Sequence, residues 1–185
     1  MMRTLVALLG TAVLLLTGCG TAPRQAPTAA STAPPPTTVT FRTPTGFRSA
    51  HDYTILVPLT PHGDAQWRVP SGEPEGLDVI FVESYVLSAD SDRWSDARKR
   101  RQIHDWAGKV HATRASEPTR ATVAGLPAYQ QRINQPDGDD TLRYDATFVF
   151  TGRFLVQVGC QWDQHPTLIR TACRQVLATL TIGAV

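Results

Sequence analysis

The sequence predicts an α+β fold, an antiparallel sheet with helices packed on it, and two observations carry that prediction. Three segments between residues 126 and 162 alternate apolar and polar positions with tight-turn residues between them, and residues 95–110 and 166–180 place apolar side chains at helical spacing. Composition fits one globular unit: 42% of the 185 residues are hydrophobic and 18% charged, enough for a single core burying about 70% of the surface the unfolded chain exposes. The formal net charge of +2 is too small for a protein built to hold nucleic acid.

In chain order, the first element is a targeting signal. Arg3 precedes an apolar run over residues 5–16 that closes on small residues before a cysteine. At 1.5 Å per residue the run reaches about 18 Å, against the roughly 30 Å of hydrocarbon a spanning helix must cross. Leu16, Thr17, Gly18 and Cys19 resemble, at all four positions, the lipobox at which bacterial lipoproteins are processed. The resemblance implies that a signal peptidase reads Leu16, Thr17 and Gly18, cleaves after Gly18, and leaves a diacylglyceryl group on the Cys19 sulfur. The residue types suit that chemistry: Gly18 leaves room beside the scissile bond, Leu16 fills an apolar subsite, and a thiol is the soft nucleophile a thioether needs. The plainer readings are an ordinary signal peptide with an incidental cysteine, or a short buried helix. Two acyl chains, at about 0.8 kcal/mol per buried CH₂, hold a protein on a membrane by on the order of 20 kcal/mol. The expectation is a chain anchored to the outer face of the cell membrane, with that lipid as its one covalent group and no cofactor or metal.

Residues 20–38 hold Pro23, Pro27, Pro34, Pro35 and Pro36 among Ala, Thr and Ser, a composition that packs no core and reads as a disordered tether. Such a stretch reaches about 25 Å as a coil and about 60 Å if extended. Thr28, Ser31, Thr32, Thr37 and Thr38 resemble an O-glycosylated stalk, although a plain linker needs no such modification. The expected divisions are therefore a cleaved signal peptide (1–18), a lipidated tether (19–38) and one α+β domain (39–185).

Within that domain, Tyr53, Ile55, Val57 and Leu59 share a side of an expected strand, residues 61–64 supply a turn, and residues 66–69 return as its partner. Residues 78–87 (DVIFVESYVL) are apolar on both faces, as a central strand covered from both sides should be. Glu83 interrupts them, and a cross-strand arginine such as Arg132 or Arg143 is the expected partner, with catalysis the less economical reading.

A helix is expected from Ser95 or Asp96, with Ile103, Trp106, Ala107 and Val110 on its inner face and Arg98, Arg101 and Asp105 opposite. Arg101 paired with Asp105 at i,i+4 makes the basic run Arg98, Lys99, Arg100 and Arg101 a solvated face; contact with anionic headgroups is the sharper alternative. His104 and His111 lie about 10.5 Å apart along the axis, too far for one metal. Asp90, Asp92 and Asp96 invite a calcium loop, but the required glycine and glutamate are replaced by Ser95 and Arg101. Carboxylates at a helix start account for these acids.

The meander follows. Tyr129, Gln131 and Ile133 form one apolar row, then Leu142, Tyr144, Ala146, Phe148 and Phe150, then Phe154, Val156, Val158, Cys160 and Trp162. Turns fall at 136–138 and 151–152, and turn chemistry explains Asp137, Asp139 and Asp140 without a cation. The last helix opens at Pro166, with Asp163 available as its cap, and buries Leu168, Ile169, Ala172, Cys173, Val176, Leu177 and Leu180 against the sheet. Export to an oxidising compartment, with the lipid already on Cys19, leaves Cys160 and Cys173 to pair as a disulfide. A metal site including His165 is the rival, and its spacing matches no zinc pattern.

The lipobox, the Thr/Pro tether, AGLPAYQQRIN, DDTLRYDATFVFTGRFLVQVGCQW and the C-terminal amphipathic helix together resemble actinobacterial lipoproteins of the LpqN/LpqT type. That resemblance, over residues 78–182, implies a fold similar to PsbP: a twisted antiparallel sheet sandwiched between helices. It also implies a non-enzymatic protein-binding or adaptor role in the cell envelope, with another envelope protein as partner and no catalytic residues to carry over. A carrier of lipid or a small molecule, with an apolar pocket of about 300 Å³ or more between sheet and helix, is the alternative. A hydrolase ranks below both, since the chain has neither Gly-x-Ser-x-Gly nor His-Glu-x-x-His.

Overall fold

Every residue of the strand Phe154–Trp162 is buried, and the rest of the fold is arranged to cover it. The computed structural model describes residues 37–51, 53, 65–74 and 76–184. The signal peptide, Cys19, the tether up to residue 36, and the expected strand and turn at 54–64 lie outside those residues.

In chain order the described elements are β1 (Thr37–Thr40), β2 (Phe47–Ala50), β3 (Gln66–Pro70), β4 (Val79–Val86), α1 (Asp96–Lys109), β5 (Arg114–Ala115), β6 (Thr119–Val123), β7 (Leu126–Asp137), β8 (Asp140–Thr151), β9 (Phe154–Trp162), α2 (Pro166–Thr179) and β10 (Thr181–Ala184). An eight-stranded antiparallel sheet runs β2-β3-β4-β9-β8-β7-β5, with β6 also paired to β7. β1 and β10 form a separate two-stranded ribbon. Its Val39 and Ile182 pack on the core beneath α2.

The strand over residues 66–69 is present, but its partners are β2 and β4. β7, β8 and β9 form the expected meander, with registers fixed by two-residue turns at Gly138 and Gly152. β6 is an addition that alternation alone did not reveal. It joins β7 through Ala124 and Gly125, both at positive φ, the geometry of a primed hairpin turn.

Two large clusters fill the faces of the sheet, and a smaller one gathers Ala50, Val69 and Val79 at the β2–β3–β4 end. On one face Ile103, Trp106 and Ala107 of α1, with Val110 at its C-cap, pack on Tyr129, Ile133, Tyr144, Phe148 and Phe150. On the other, Ile169, Ala172, Cys173 and Val176 of α2 pack on Ile80, Val82, Val149, Val156 and Val158. The result is the α/β/α sandwich. The apolar rows of β8 and β9 therefore serve opposite faces: Phe148 stands opposite Gln157 in register, not opposite Val156 or Val158.

Both helices are anchored at their starts. Ser95 Oγ accepts the Arg98 N–H at 3.3 Å, and Asp96 accepts from the Tyr129 hydroxyl and, at 3.2 Å, from Arg100 Nε. For α2, Asp163 does not act as the cap. The Asp78 carboxylate, at the edge of β4, accepts the backbone N–H groups of Asp163, Gln164 and His165 at 3.0–3.3 Å. Leu168 is another correction: it is 43% exposed, because it lies on the flank of α2 beyond the width of the sheet contact.

Close approach demands one glycine. Gly159 lies opposite Phe81, and a Cβ there would stand 1.9 Å from the Phe81 ring. Gly159→Ala is expected to destabilise the domain by about 1–3 kcal/mol through overpacking, measured by urea unfolding, whereas an unchanged midpoint would mean the ring has room to move.

Candidate functional site

Four side chains in one cross-sheet row build the site. Ile80, Cys160, Asp145 and Arg132 stand opposite one another across β4, β9, β8 and β7. All four belong to the α2 face by the alternation of the strands. Cys160 is joined to Cys173 of α2, with a Cα–Cα distance of 6.1 Å. The disulfide thus clamps α2 onto the row one position from Asp145, and Arg170 lies one helical turn before Cys173.

The consequence is a groove of about 480 Å³ between α2 and the β7–β8 half of the sheet. Its walls include Arg132, Asp145, Thr147, Arg170, Arg174 and the disulfide. Asp145 sits between two guanidinium groups: Arg132 Nε donates to Oδ1 at 3.1 Å, and Arg170 Nε lies 3.3 Å from Oδ2. The Arg170 guanidinium also stacks 4.2 Å above the Trp162 ring, which fixes its plane. A cavity in this place and above the expected size exists, and Ala146, Leu177 and the disulfide line it together with the charged groups.

The basic run of α1 does not form one face. Lys99 is buried, with Nζ 5.7 Å from the Phe150 ring centre. Arg100 is committed to Asp96 and to the Pro118 carbonyl, and Arg98 lies 4.2 Å over Trp94. Arg101 is exposed and makes no ion pair with Asp105 among the described residues. Helical periodicity explains the division, because Lys99 falls on the stripe of Ile103 and Trp106.

Glu83 has neither expected arginine as partner. Arg132 and Arg143 belong to the α2 face, whereas Glu83 stands opposite Gln157 on the α1 face. Its carboxylate accepts from the Tyr85 hydroxyl beside Gln157 and is only 7% exposed. Burial raises its pKa above the usual carboxylate range, and the Tyr85 hydrogen bond opposes that shift in part. Burial likewise raises the Tyr85 and Tyr144 hydroxyls. Tyr129 is pushed up to about 12 by burial and its bond to Asp96. Asp96 is lowered by the same bond and by Arg100.

His165 lies away from the cysteines, with Nε2 3.3 Å from Glu73. Glu73, Asp78 and His165 offer ligand atoms within 4.8 Å of one another, but both Asp78 oxygens already cap the chain entering α2. Asp90 and Asp92 likewise have structural partners: Asp90 caps the 3-10 turn Ser91–Arg93, and Asp92 accepts the Gly152 N–H at 3.0 Å. No helix among the described residues is long and apolar enough to cross a membrane.

The fold is similar to that of LpqN of Mycobacterium tuberculosis, a protein involved in cell envelope biogenesis, with a TM-score of 0.53 at 13% identity over 82% of this chain and 87% of that one. A cyanobacterial PsbP from Synechocystis sp. PCC 6803 superposes with a TM-score of 0.40 at 12% identity, covering 91% of this chain and 99% of that one. No protein family matches the sequence, and no curated protein sequence does so significantly.

Two outcomes follow from the geometry. Replacing Cys160 and Cys173 together by serine is expected to cost about 3 kcal/mol in denaturant unfolding, since the bridge closes a short loop with a sequence separation of 13. Because the folded Glu83 pKa is raised, its stabilising contribution is complete below the unfolded carboxyl value and is lost as pH rises through the folded one. Glu83→Gln should therefore melt higher than the parent at pH 8, with the gap closing toward pH 4; a gap constant with pH would contradict the assignment.

Proposed function

We propose that the chain is a membrane-anchored extracytoplasmic lipoprotein acting as a non-enzymatic protein-binding or adaptor module of the cell envelope. The observation that carries the reading is the sandwich fold shared with LpqN, described as involved in cell envelope biogenesis. The Cys160–Cys173 bridge supports export, because a buried structural disulfide belongs to an oxidising compartment. Leu16, Thr17, Gly18 and Cys19 supply the anchor chemistry, and the proline-rich residues before the domain give it reach from the membrane.

The groove favours a second reading, a carrier of a small molecule. Its volume of about 480 Å³ lies in the range of ligand pockets. Its arginines suit a polar headgroup better than an acyl chain.

Metabolic labelling with an azido fatty acid tests the anchor: the parent should carry the label and fractionate with membranes, and Cys19→Ala should do neither. Label retained in Cys19→Ala would sink the lipoprotein reading. In-cell cross-linking with mass spectrometry separates the two roles. One reproducible protein partner supports the adaptor, and co-purified ligand without a partner supports the carrier.

A further inference from the structure

We propose that the groove between α2 and the β7–β8 half of the sheet is a binding site for a small organic anion, held through a phosphate or carboxylate by Arg132 and Arg170. This goes beyond the adaptor reading and does not rest on the lipid anchor.

Asp145 lies between the two guanidinium groups. Arg132 donates its Nε to Asp145 Oδ1 at 3.1 Å, and Arg170 brings its Nε to 3.3 Å from Oδ2 as an ion pair in which that N–H finds no hydrogen-bond partner among the described residues. Among the described residues the Nη groups of Arg132 and Arg170 have no hydrogen-bond acceptor. A guanidinium bound only at Nε keeps the Nη edge that pairs with carboxylate or phosphate oxygens in a parallel, two-bond geometry. Asp145 therefore positions two cationic forks without consuming them.

Preorganisation comes from three further contacts. The Trp162 ring lies beneath the Arg170 guanidinium at 4.2 Å, the disulfide fixes the helix that carries Arg170, and the backbone N–H of Arg132 is anchored to Ser116 Oγ at 3.0 Å. Rigid donors lose less entropy on binding than arginines extended into solvent. The charge balance has the same sign. Arg132, Arg170 and Arg174 face the groove with Asp145 as the one acidic residue of its lining, so the cleft concentrates positive potential where an anion would enter. Arg174 is steadied by Thr171 Oγ1 at 3.1 Å. Thr147, buried in the wall, offers a hydroxyl to the body of the ligand.

The shared chemistry is an oxyanion on a compact polar body, and two sources supply it: a soluble metabolite or an anionic lipid headgroup. Calorimetric titration of the full chain in detergent with glycerol 3-phosphate, tartrate, dihexanoylphosphatidylglycerol and neutral glycerol tests it. The anions are expected to bind with Kd below about 1 mM, and glycerol is expected not to bind. Tighter binding of the short-chain lipid than of glycerol 3-phosphate assigns the headgroup; equal or weaker binding assigns the soluble anion. The double variant Arg132→Gln, Arg170→Gln should weaken binding at least about tenfold, the loss of one strong charge-assisted contact. Arg170→Lys, which keeps the charge and the fold but not the fork, should fall between. Arg98→Gln, on the other helix, should bind as the parent does. Undetectable anion binding by the parent, an equal response to glycerol, or undiminished affinity in the double variant with an unchanged melting curve would each overturn the proposal.

Discussion

Covering β9 on both faces is the constraint from which the rest of the structure follows. All nine of its residues are buried, and each hydrogen-bonding edge is taken by a neighbour, β4 on one side and β8 on the other. A strand in that position needs a layer above and a layer below, because an apolar row left facing water forfeits about 25 cal/mol for each Å² exposed. The two helices supply those layers. α1 reaches the sheet from the β4 side of the sequence, and α2 from directly after β9, so the chain returns on itself with few residues between strand and cover.

That arrangement has a polar cost on one face and leaves a groove on the other. Beneath α1 the middle of the sheet carries Glu83, Tyr85 and Gln157, with Gln157 Nε2 lacking a hydrogen-bond partner among the described residues. Polar atoms so placed weaken a core unless they satisfy one another, and Glu83 does so only in part, which is why burial raises its pKa. Over the other face α2 covers β4 and β9 and leaves the β7–β8 side less enclosed. The disulfide marks the boundary: the helix is closed down on one side of it, and the arginine-lined groove begins on the other.

The site is thus a by-product of coverage made specific by charge. A stretch of sheet that no helix covers faces water and takes polar side chains. Here Arg132 and Asp145 occupy the outer strands of the same row that buries Ile80 and Cys160 nearer the centre. The transition from apolar to charged side chains within one row lets a single sheet face act as core under the helix and as a polar surface beside it.

Much of this was legible in the sequence. The alternation of β7, β8 and β9 and the two amphipathic helices fixed the fold class, and the apolar setting of Cys160 and Cys173 pointed to their pairing. Those signals are local, arising from the period of a strand, the period of a helix and the apolar setting of two nearby thiols, so residues near in sequence carry them completely. The partner of Glu83, the cap of α2, the division of the run 98–101 and the arginine pair around Asp145 were decided only by tertiary structure. Each depends on which face a strand presents and on the register between strands far apart in the chain. Alternation states that two rows differ and leaves open which helix each will meet. The packing of α1 on the aromatic row of β7 and β8, and of α2 on β4 and β9, settles that question, placing Glu83 in the core and Arg132 at the groove.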